Sequence, residues 1–455
     1  VKHLGDEKMK IAIAGTGYVG LVTGVVLAHI GHEVTCVDID KDKIEKLKKC
    51  ECPIFEPDLP ELMSKNFDKL TFTTDCAKVY TTAEAIFIAV GTPEKKDGST
   101  NLSYVYTVAD QIAKYAMRDC TVVVKSTVPI GTNDKIEQYI IKNLKHNISI
   151  EVVSNPEFLS QGTAVKDMLY GSRIVIGAET VKAKSIMSEI YKNLNQPIIF
   201  TNRRSAEMIK YASNDFLALK ISYINEIANL CEVLGADVED VARGMGMDPR
   251  IGDKFLRAGI GYGGSCFPKD TKALHWLGNY HDYEMKTIKA AIEVNENQKL
   301  RLLKKARKYY ESFDGLTVAM LGLTFKPNTD DLREAPSLTI IPILLDDGAK
   351  IKAYDPCGAN NFRKLAEGDI IYCNTPEEAI ADTDICFILT EWNQIVSLDP
   401  EVFLTMKRPI ILDGRNCYKL DDMAKHELIY ESIGRRIISN IQIPNKIDRV
   451  QSNMQ

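Results

Sequence analysis

No apolar run in the 455 residues approaches the roughly 20 needed to span a bilayer, so no membrane partner is expected. The opening stretch, Val1 to Lys10, lacks an apolar signal core, which argues against export. Residues 1–8, ahead of Met9, read as a leader or an addition, and the sequence does not decide between them. There is no sustained Lys/Arg stripe, and the formal net charge is −5; nucleic acid is therefore not expected as a partner. The 7 histidines form no His-Glu-x-x-His or similar cluster. Cys50 and Cys52 lie close together, but no second Cys/His pair stands at zinc-ligand spacing, so no metal is expected. The 11 cysteines are odd in number and scattered. Cys36, Cys120 and Cys386 fall inside apolar strand-like runs, where a reduced thiol behaves as a small hydrophobe. In a long chain without an export signal this pattern fits a reducing compartment, the cytoplasm.

What is present fits a soluble globular protein: 45% hydrophobic and 26% charged residues, enough for packed cores, over a length that implies two or three domains. In the first zone, 9–201, β-branched runs alternate with helical patterns, as in a parallel α/β sheet. The runs are Lys10–Ala14, Glu33–Val37, Ala85–Val90, Thr121–Lys125 and Ile150–Val153. The second zone, 202–308, is helical, with one pattern running from Ser205 to Leu234 and stopping at Gly235, which suits a left-handed cap. A helix of ~30 residues spans about 45 Å, longer than one domain needs, and so connects domains or pairs with a second subunit. In the third zone, 315–440, the alternation returns through Thr317–Leu321, Ile351–Tyr354, Ile385–Leu389 and Pro409–Leu412. It weakly repeats the first: Lys10–Gly15 then His32–Asp38 parallels Thr317–Gly322 then Ala349–Asp355. The fold class is α/β: two doubly wound Rossmann-like domains joined by a helical middle with a long connecting helix. From about Asn440 the chain is polar and reads as a loose tail.

The first strand runs into Gly15-Thr16-Gly17-Tyr18-Val19-Gly20 and then a helical pattern. Gly15 permits the tight turn, Gly17 lets backbone approach a pyrophosphate, and Gly20 lets the helix pack near the strand. The pyrophosphate would lie at the helix N-terminus, where free N–H groups favour anions. Asp38, at the end of the second strand about twenty residues on, can hold a ribose diol and repel a 2′-phosphate, which favours NAD over NADP. Val90-Gly91-Thr92-Pro93 and Ser126-Thr127-Val128-Pro129 put small polar residues at two further strand ends, the edge where open parallel sheets bind ligands. The second α/β domain has bulky Leu323, Phe325 and Lys326 after Gly322, so it should not cradle a dinucleotide in the same way.

Gly261-Tyr262-Gly263-Gly264-Ser265-Cys266-Phe267-Pro268-Lys269-Asp270 reads as an exposed glycine loop opening a helix, with Pro268 in its first turn. At that N-terminus the dipole, with Lys269 nearby, should favour the Cys266 thiolate. In Lys210-Tyr211-Ala212-Ser213-Asn214 the ammonium and amide share one helix face and could stabilise an oxyanion, although such a pair also suits a plain solvated face.

Together with Asn155-Pro156-Glu157-Phe158-Leu159, and in this order, these segments resemble the UDP-glucose/GDP-mannose dehydrogenase family from Met9 to about Asn440. The resemblance implies four-electron oxidation of a nucleotide sugar with two NAD⁺ and water, through a thiohemiacetal and a thioester on Cys266. It implies oxyanion roles for Lys210 and Asn214, and water-directing roles for Asp270, Thr127 and Glu157. Substrate contacts would come from Glu157, Phe158, Leu159, Lys210, Asn214, Arg250, Phe255, Arg257, Tyr262, Gly263, Phe325 and Lys326. Besides Gly15 to Gly20 (with Tyr18 and Val19), Asp38, Thr92, Pro93, Ser126 and Thr127, the cofactor set takes in Lys43, Lys269 and Arg333. Arg333 would reach the NAD site from the far domain and so place the active site in the interdomain cleft. A homodimer through the central helix is implied as well. One position departs: Gln161 stands where many members carry an acid, which leaves Glu157 to serve. The helix from Asn214 to Lys220 and the loop from Phe255 to Gly259 look closer to members acting on UDP-glucose. GDP-mannose or a UDP-N-acetylhexosamine stays open as substrate, as does a two-electron β-hydroxyacid-type dehydrogenase. A non-catalytic NAD-binding relative is disfavoured because Cys266, Lys210 and Asp270 are all present.

Overall fold

The computed structural model describes residues 8–441. Of the segment before Met9 only Lys8, and of the tail from Asn440 only Asn440 and Ile441, fall among the described residues. The chain divides into two compact units: one runs to Ser213 and takes in Lys272–Tyr283, the other holds Asn214–Thr271 and Glu284 onward.

In the first unit eight strands form one sheet: β1 (Lys10–Ala14), β2 (Glu33–Val37), β3 (Leu70–Thr73), β4 (Ala85–Ile88), β5 (Cys120–Val124), β6 (Ile150–Ser154), β7 (Ile174–Gly177) and β8 (Ile198–Thr201). Their order is β3-β2-β1-β4-β5-β6-β7-β8, parallel throughout except where β7 meets β6. The period of two sorts the side chains between two cores. Ile11, Ile13, Phe87 and Val123 enter one; Ala12, Ala14, Ile86, Ile88 and Val124 enter the other. Burial on both faces explains why these runs are continuously apolar. The register brings the strand ends level: Ala14 pairs with Val37 and Ile88, and Val124 with Ile88 and Ser154. The residues that follow, Gly15, Asp38, Ala89, Lys125 and Asn155, therefore emerge along one carboxyl edge. The order reverses between β1 and β4, which is where doubly wound sheets open a ligand crevice.

In the second unit the strands are β9 (Thr317–Leu321), β10 (Lys350–Tyr354), β11 (Ile370–Tyr372), β12 (Ile385–Ile388), β13 (Ile410–Asp413), β14 (Ile429–Glu431) and β15 (Ile438–Ser439), in the order β11-β10-β9-β12-β13-β14-β15. Only β15 runs antiparallel. The strands that sequence periodicity did not mark (β3, β7, β8, β11, β14 and β15) have four residues or fewer, too short to show a period against their neighbours.

Along the chain from β8 to β9 the described elements are helices, the longest spanning Arg203–Leu234. It begins two residues before the expected start and stops ahead of Gly235, which takes φ +74°. The boundary between the units falls inside this helix. Among the described residues no helix is long and apolar enough to cross a membrane.

Candidate active site

The Gly15–Gly20 turn has the shape its glycines demand. Gly15 takes φ +100°, and a Cβ there would meet the Ala89 carbonyl at 2.8 Å; one on Gly20 would lie 2.0 Å from the Gly15 carbonyl. A Cβ on Gly17 would meet nothing within 4 Å, so its backbone faces open space at the start of the helix Tyr18–His29, and no side chain caps that helix. A dinucleotide pyrophosphate fits this arrangement of open backbone and uncapped N–H groups. Asp38 is partly spent on the turn: Oδ2 accepts from the Thr16 N–H at 2.7 Å and hydroxyl at 2.6 Å. Lys43 stands 3.7 Å away. Burial acts to raise this carboxyl, but the Thr16 and Asp40 donors and the Lys43 ammonium together hold it below its ordinary value. Tyr18, half-buried like Val19, accepts the Gly162 N–H at 2.9 Å through its hydroxyl.

The neighbouring strand ends are tied together. Thr92 donates to the Thr127 carbonyl at 2.9 Å and Ser126 to that of Val90 at 2.6 Å; Pro93 is exposed and Thr127 half-buried. After β6, Glu157 pairs with Lys210 at 3.1 Å, with both side chains buried. Its other oxygen accepts from Leu159 N–H at 2.6 Å, and the Phe158 ring lies 5.4 Å from the Lys210 ammonium.

In the second unit Cys266 is exposed and directly precedes the helix Phe267–Tyr280. Its carbonyl accepts the Asp270 N–H at 2.8 Å, so the thiol sits at the positive end of the helix. Arg333, bidentate to Asp331, is near enough for its charge to interact with Cys266. The ammonium of Lys269, expected to favour the thiolate, lies 2.6 Å from Asp270. The other oxygen of Asp270 accepts from the Asn214 amide at 2.7 Å. Asn214 and Asp270, 56 residues apart, are thus brought together at the start of the Cys266 helix.

The loop ahead of Cys266 owes its path to glycine. A Cβ on Gly263 would meet the Glu334 carbonyl at 2.4 Å, and one on Gly264 the Phe325 ring at 2.8 Å. Phe267 stacks edge-on with Tyr262 and Phe255, Arg257 donates to the Arg415 carbonyl at 3.0 Å, and the Lys326 ammonium lies over Phe325. Arg250 stands apart on the surface, 87% exposed and paired with Asp248.

Several residues that hold this arrangement were not singled out from the sequence. Asn225, Asn295 and Gln298 bond the backbone of Gly259 and Tyr262 at 2.7–3.1 Å. Arg415 ties Gly261, Phe325 and Leu389 through their carbonyls. Glu56 binds the Gly162 and Ala164 N–H groups. Lys125, buried, donates to Asn155 Oδ1 at 3.2 Å; burial lowers it to about 8, with Lys210 adding to the effect and Glu157 opposing it. Asp355, the counterpart of Asp38, is saturated by Leu323, Thr324, Cys357, Gly358 and Trp392. The second sheet consequently offers no free acid at that position.

Residues 9–195 match the NAD-binding domain of the UDP-glucose/GDP-mannose dehydrogenase family, 204–297 its central domain and 319–420 its UDP-binding domain. The chain belongs to the UDP-glucose/GDP-mannose dehydrogenase family. It is 49% identical over 433 residues to the UDP-glucose 6-dehydrogenase YwqF of Bacillus subtilis, covering 94% of this chain and 98% of that one. Among solved structures it is similar to a UDP-glucose dehydrogenase from Pyrobaculum islandicum, at 34% identity and a TM-score of 0.89 over 95% of this chain and 99% of that one. It is also similar to a UDP-D-ManNAc dehydrogenase from Pyrococcus horikoshii, at 26% and 0.83 over 95% and 100%. In this family member the Gly15–Gly20 turn falls within the NAD-binding match, and Lys210, Asn214 and Cys266 within the central one.

Proposed function

We propose that this chain oxidises the C6 alcohol of UDP-glucose to the carboxylate of UDP-glucuronate, consuming two NAD⁺ and one water. The observation that carries the reading is an exposed thiol at a helix N-terminus whose first turn bears the buried Asp270, bonded to Asn214. The 49% identity to a UDP-glucose 6-dehydrogenase supports the choice of sugar. Gly15 to Gly20 and Asp38, with Lys43, Thr92, Pro93, Ser126, Thr127, Lys269 and Arg333 as further contacts, would hold NAD⁺, which would accept the hydride. We assign 9–201 to cofactor binding, 202–308 to the helical and dimerising part, and 315–440 to the UDP-sugar.

Cys266 attacks the C6 aldehyde to give a thiohemiacetal, whose further oxidation leaves a thioester. Lys210 and Asn214, one turn apart on the same helix, donate to the oxyanions that form. Asp270, Glu157 and Thr127 direct the water that adds to the thioester carbonyl; the C–S bond then breaks and Cys266 leaves as thiolate. Gln161 donates and accepts hydrogen bonds but takes no proton, so on its segment Glu157 is the carboxylate able to do so. Arg250, Phe255, Arg257, Tyr262, Gly263, Phe325 and Lys326, with Phe158 and Leu159, hold the sugar nucleotide.

UDP-glucose, GDP-mannose and the UDP-N-acetylhexosamines compared side by side at saturating NAD⁺ test this reading. UDP-glucose should give a kcat/KM at least ~10²-fold above the others, since a site that must leave buried polar groups unpaired discriminates at that scale or more; a higher value for another sugar overturns the assignment.

A homodimer through the long helix is part of the same reading. Phe216, Tyr223 and Leu230 are exposed at heptad spacing, with Val233 and Leu234 beyond them, a stripe suited to a partner helix. Light scattering should give a dimer for the wild type and a monomer for Phe216→Glu with Leu230→Glu; a monomeric wild type rejects it. A thiol that must stay reduced suits the cytoplasm, and recovery of the protein in an oxidising compartment would count against that placement.

A further inference from the structure

Glu207 lies in the first turns of the long helix, 3% exposed, and has no part in the chemistry above. Its carboxylate meets three donors. One oxygen accepts from the Gly131 N–H at 2.5 Å, the other from the Asn133 N–H at 2.8 Å and side-chain amide at 2.6 Å. These donors open the helix Thr132–Asn143, whose cap position is Gly131 at φ +85°. The first N–H groups of a helix have no partner within it. Here the partner is a carboxylate from a second helix, 74 and 76 residues further along the chain.

The segment that Glu207 holds is the one that carries Thr127. From the end of β5 the chain runs through Ser126, Thr127 and Pro129 to Gly131. Thr92 donates to the Thr127 carbonyl at 2.9 Å, and Thr132 closes the turn onto the Pro129 carbonyl through its N–H and hydroxyl. Arg203 and Arg204, from the same turn as Glu207, add ion pairs to Asp134 and Glu137. Lys210 stands one turn after Glu207 on the same helix face and pairs with Glu157 at 3.1 Å. One stretch of helix thus grips the segments of both Thr127 and Glu157, which leave the neighbouring strands β5 and β6.

We propose that Glu207 is a positioning residue for the water step: it fixes the Thr127 segment to the helix that carries Lys210, so that Thr127 and Glu157 keep one spacing about the thioester carbonyl. The proposal rests on the reading of Thr127 and Glu157 as residues that direct the water. A cap needed only by the helix comes most simply from Ser, Thr, Asp or Asn at the cap position itself. A buried carboxylate brought from elsewhere does more, because it also joins two elements. Positioning groups need to be buried, saturated and mounted on rigid structure, and Glu207 is all three. The demand is steep, since a misplacement of about 1 Å can cost on the order of 10²-fold in rate.

The test is a double-mutant cycle in kcat for UDP-glucose oxidation, with wild type, Glu207→Gln, Thr127→Ala and the double variant. Glutamine keeps the size but turns an amide N–H₂ toward donors, so at least one of the three bonds is lost. Glu207→Gln should lower kcat by about 10-fold or more. Within Thr127→Ala it should cost no more than about 2-fold further, because a residue that acts through Thr127 then has nothing left to position. The slowed step should be the last. With excess UDP-glucose and NAD⁺, Glu207→Gln should form two NADH per site in a burst ahead of slow turnover. Losses that multiply in full in the double variant, or a burst that is itself slowed, overturn the proposal. Asn133→Ala, which leaves both backbone bonds to Glu207, carries the same cycle if the glutamine variant does not fold, and should show the same coupling with a smaller loss. A Thr127→Ala that keeps the wild-type kcat overturns the proposal too, while a wild type that turns over no sugar nucleotide defeats the reading of the site and the proposal with it.

Discussion

Cys266→Ser is expected to lower kcat for NADH formation from UDP-glucose by on the order of 10³-fold or more, with sugar and NAD⁺ binding little changed. The wild type should yield two NADH per UDP-glucose at completion. The size of the effect follows from what the sulfur does. A thiolate is at once a strong nucleophile toward the aldehyde and a good leaving group from the acyl state, and a serine hydroxyl at neutral pH is neither. The helix N-terminus and the nearby Arg333 guanidinium favour an anion at residue 266, yet a hydroxyl starts too far from ionisation for that to compensate. Binding should survive because the variant is nearly isosteric and residue 266 is exposed, so no packing is lost. One NADH per sugar in the wild type would point to a two-electron dehydrogenase, and near-normal turnover by the serine variant would remove Cys266 from the chemistry.

The cofactor turn and the Cys266 segment were legible in the sequence because each writes its demand locally. Gly15 and Gly20 are glycines because a Cβ would strike backbone; in the loop before Cys266 one on Gly263 would do the same, and one on Gly264, at φ +81°, would strike the Phe325 ring. What locks these segments was not legible. Asn225, Asn295, Gln298 and Arg415 reach them across 33–154 residues, and no periodicity records such pairings. The sequence suggested neither the pairing of Lys269 with Asp270 nor the bonds from Thr16 to Asp38. The core strands of both sheets were visible as apolar runs, whereas strands such as β11 and β15, of three and two residues, are too short to announce themselves.

Lys210→Met is expected to cost on the order of 10²–10³ in kcat, the effect of removing one preorganised oxyanion donor, and it should destabilise the fold as well. The two effects have different origins and can be separated. Lys210 and Glu157 are a buried pair at 3.1 Å, and removing one partner of such a pair commonly costs about 3–5 kcal/mol because the other charge is stranded. Here the cost should fall toward the lower end of that range. Glu157 keeps the Leu159 N–H and still feels the charge of buried Lys125. Neutralising both partners, in Lys210→Met with Glu157→Gln, removes the stranded charge and should recover most of the lost Tm. It should recover no activity, since neither the oxyanion donor nor the carboxylate returns. If the double variant regains kcat along with Tm, the lysine served the fold and another group stabilises the oxyanion. If kcat stays low while Tm returns, the loss lies in the chemistry that Lys210 and Glu157 carry and not in the fold, and a kcat for Lys210→Met well below that of Glu157→Gln alone assigns the larger share to the ammonium.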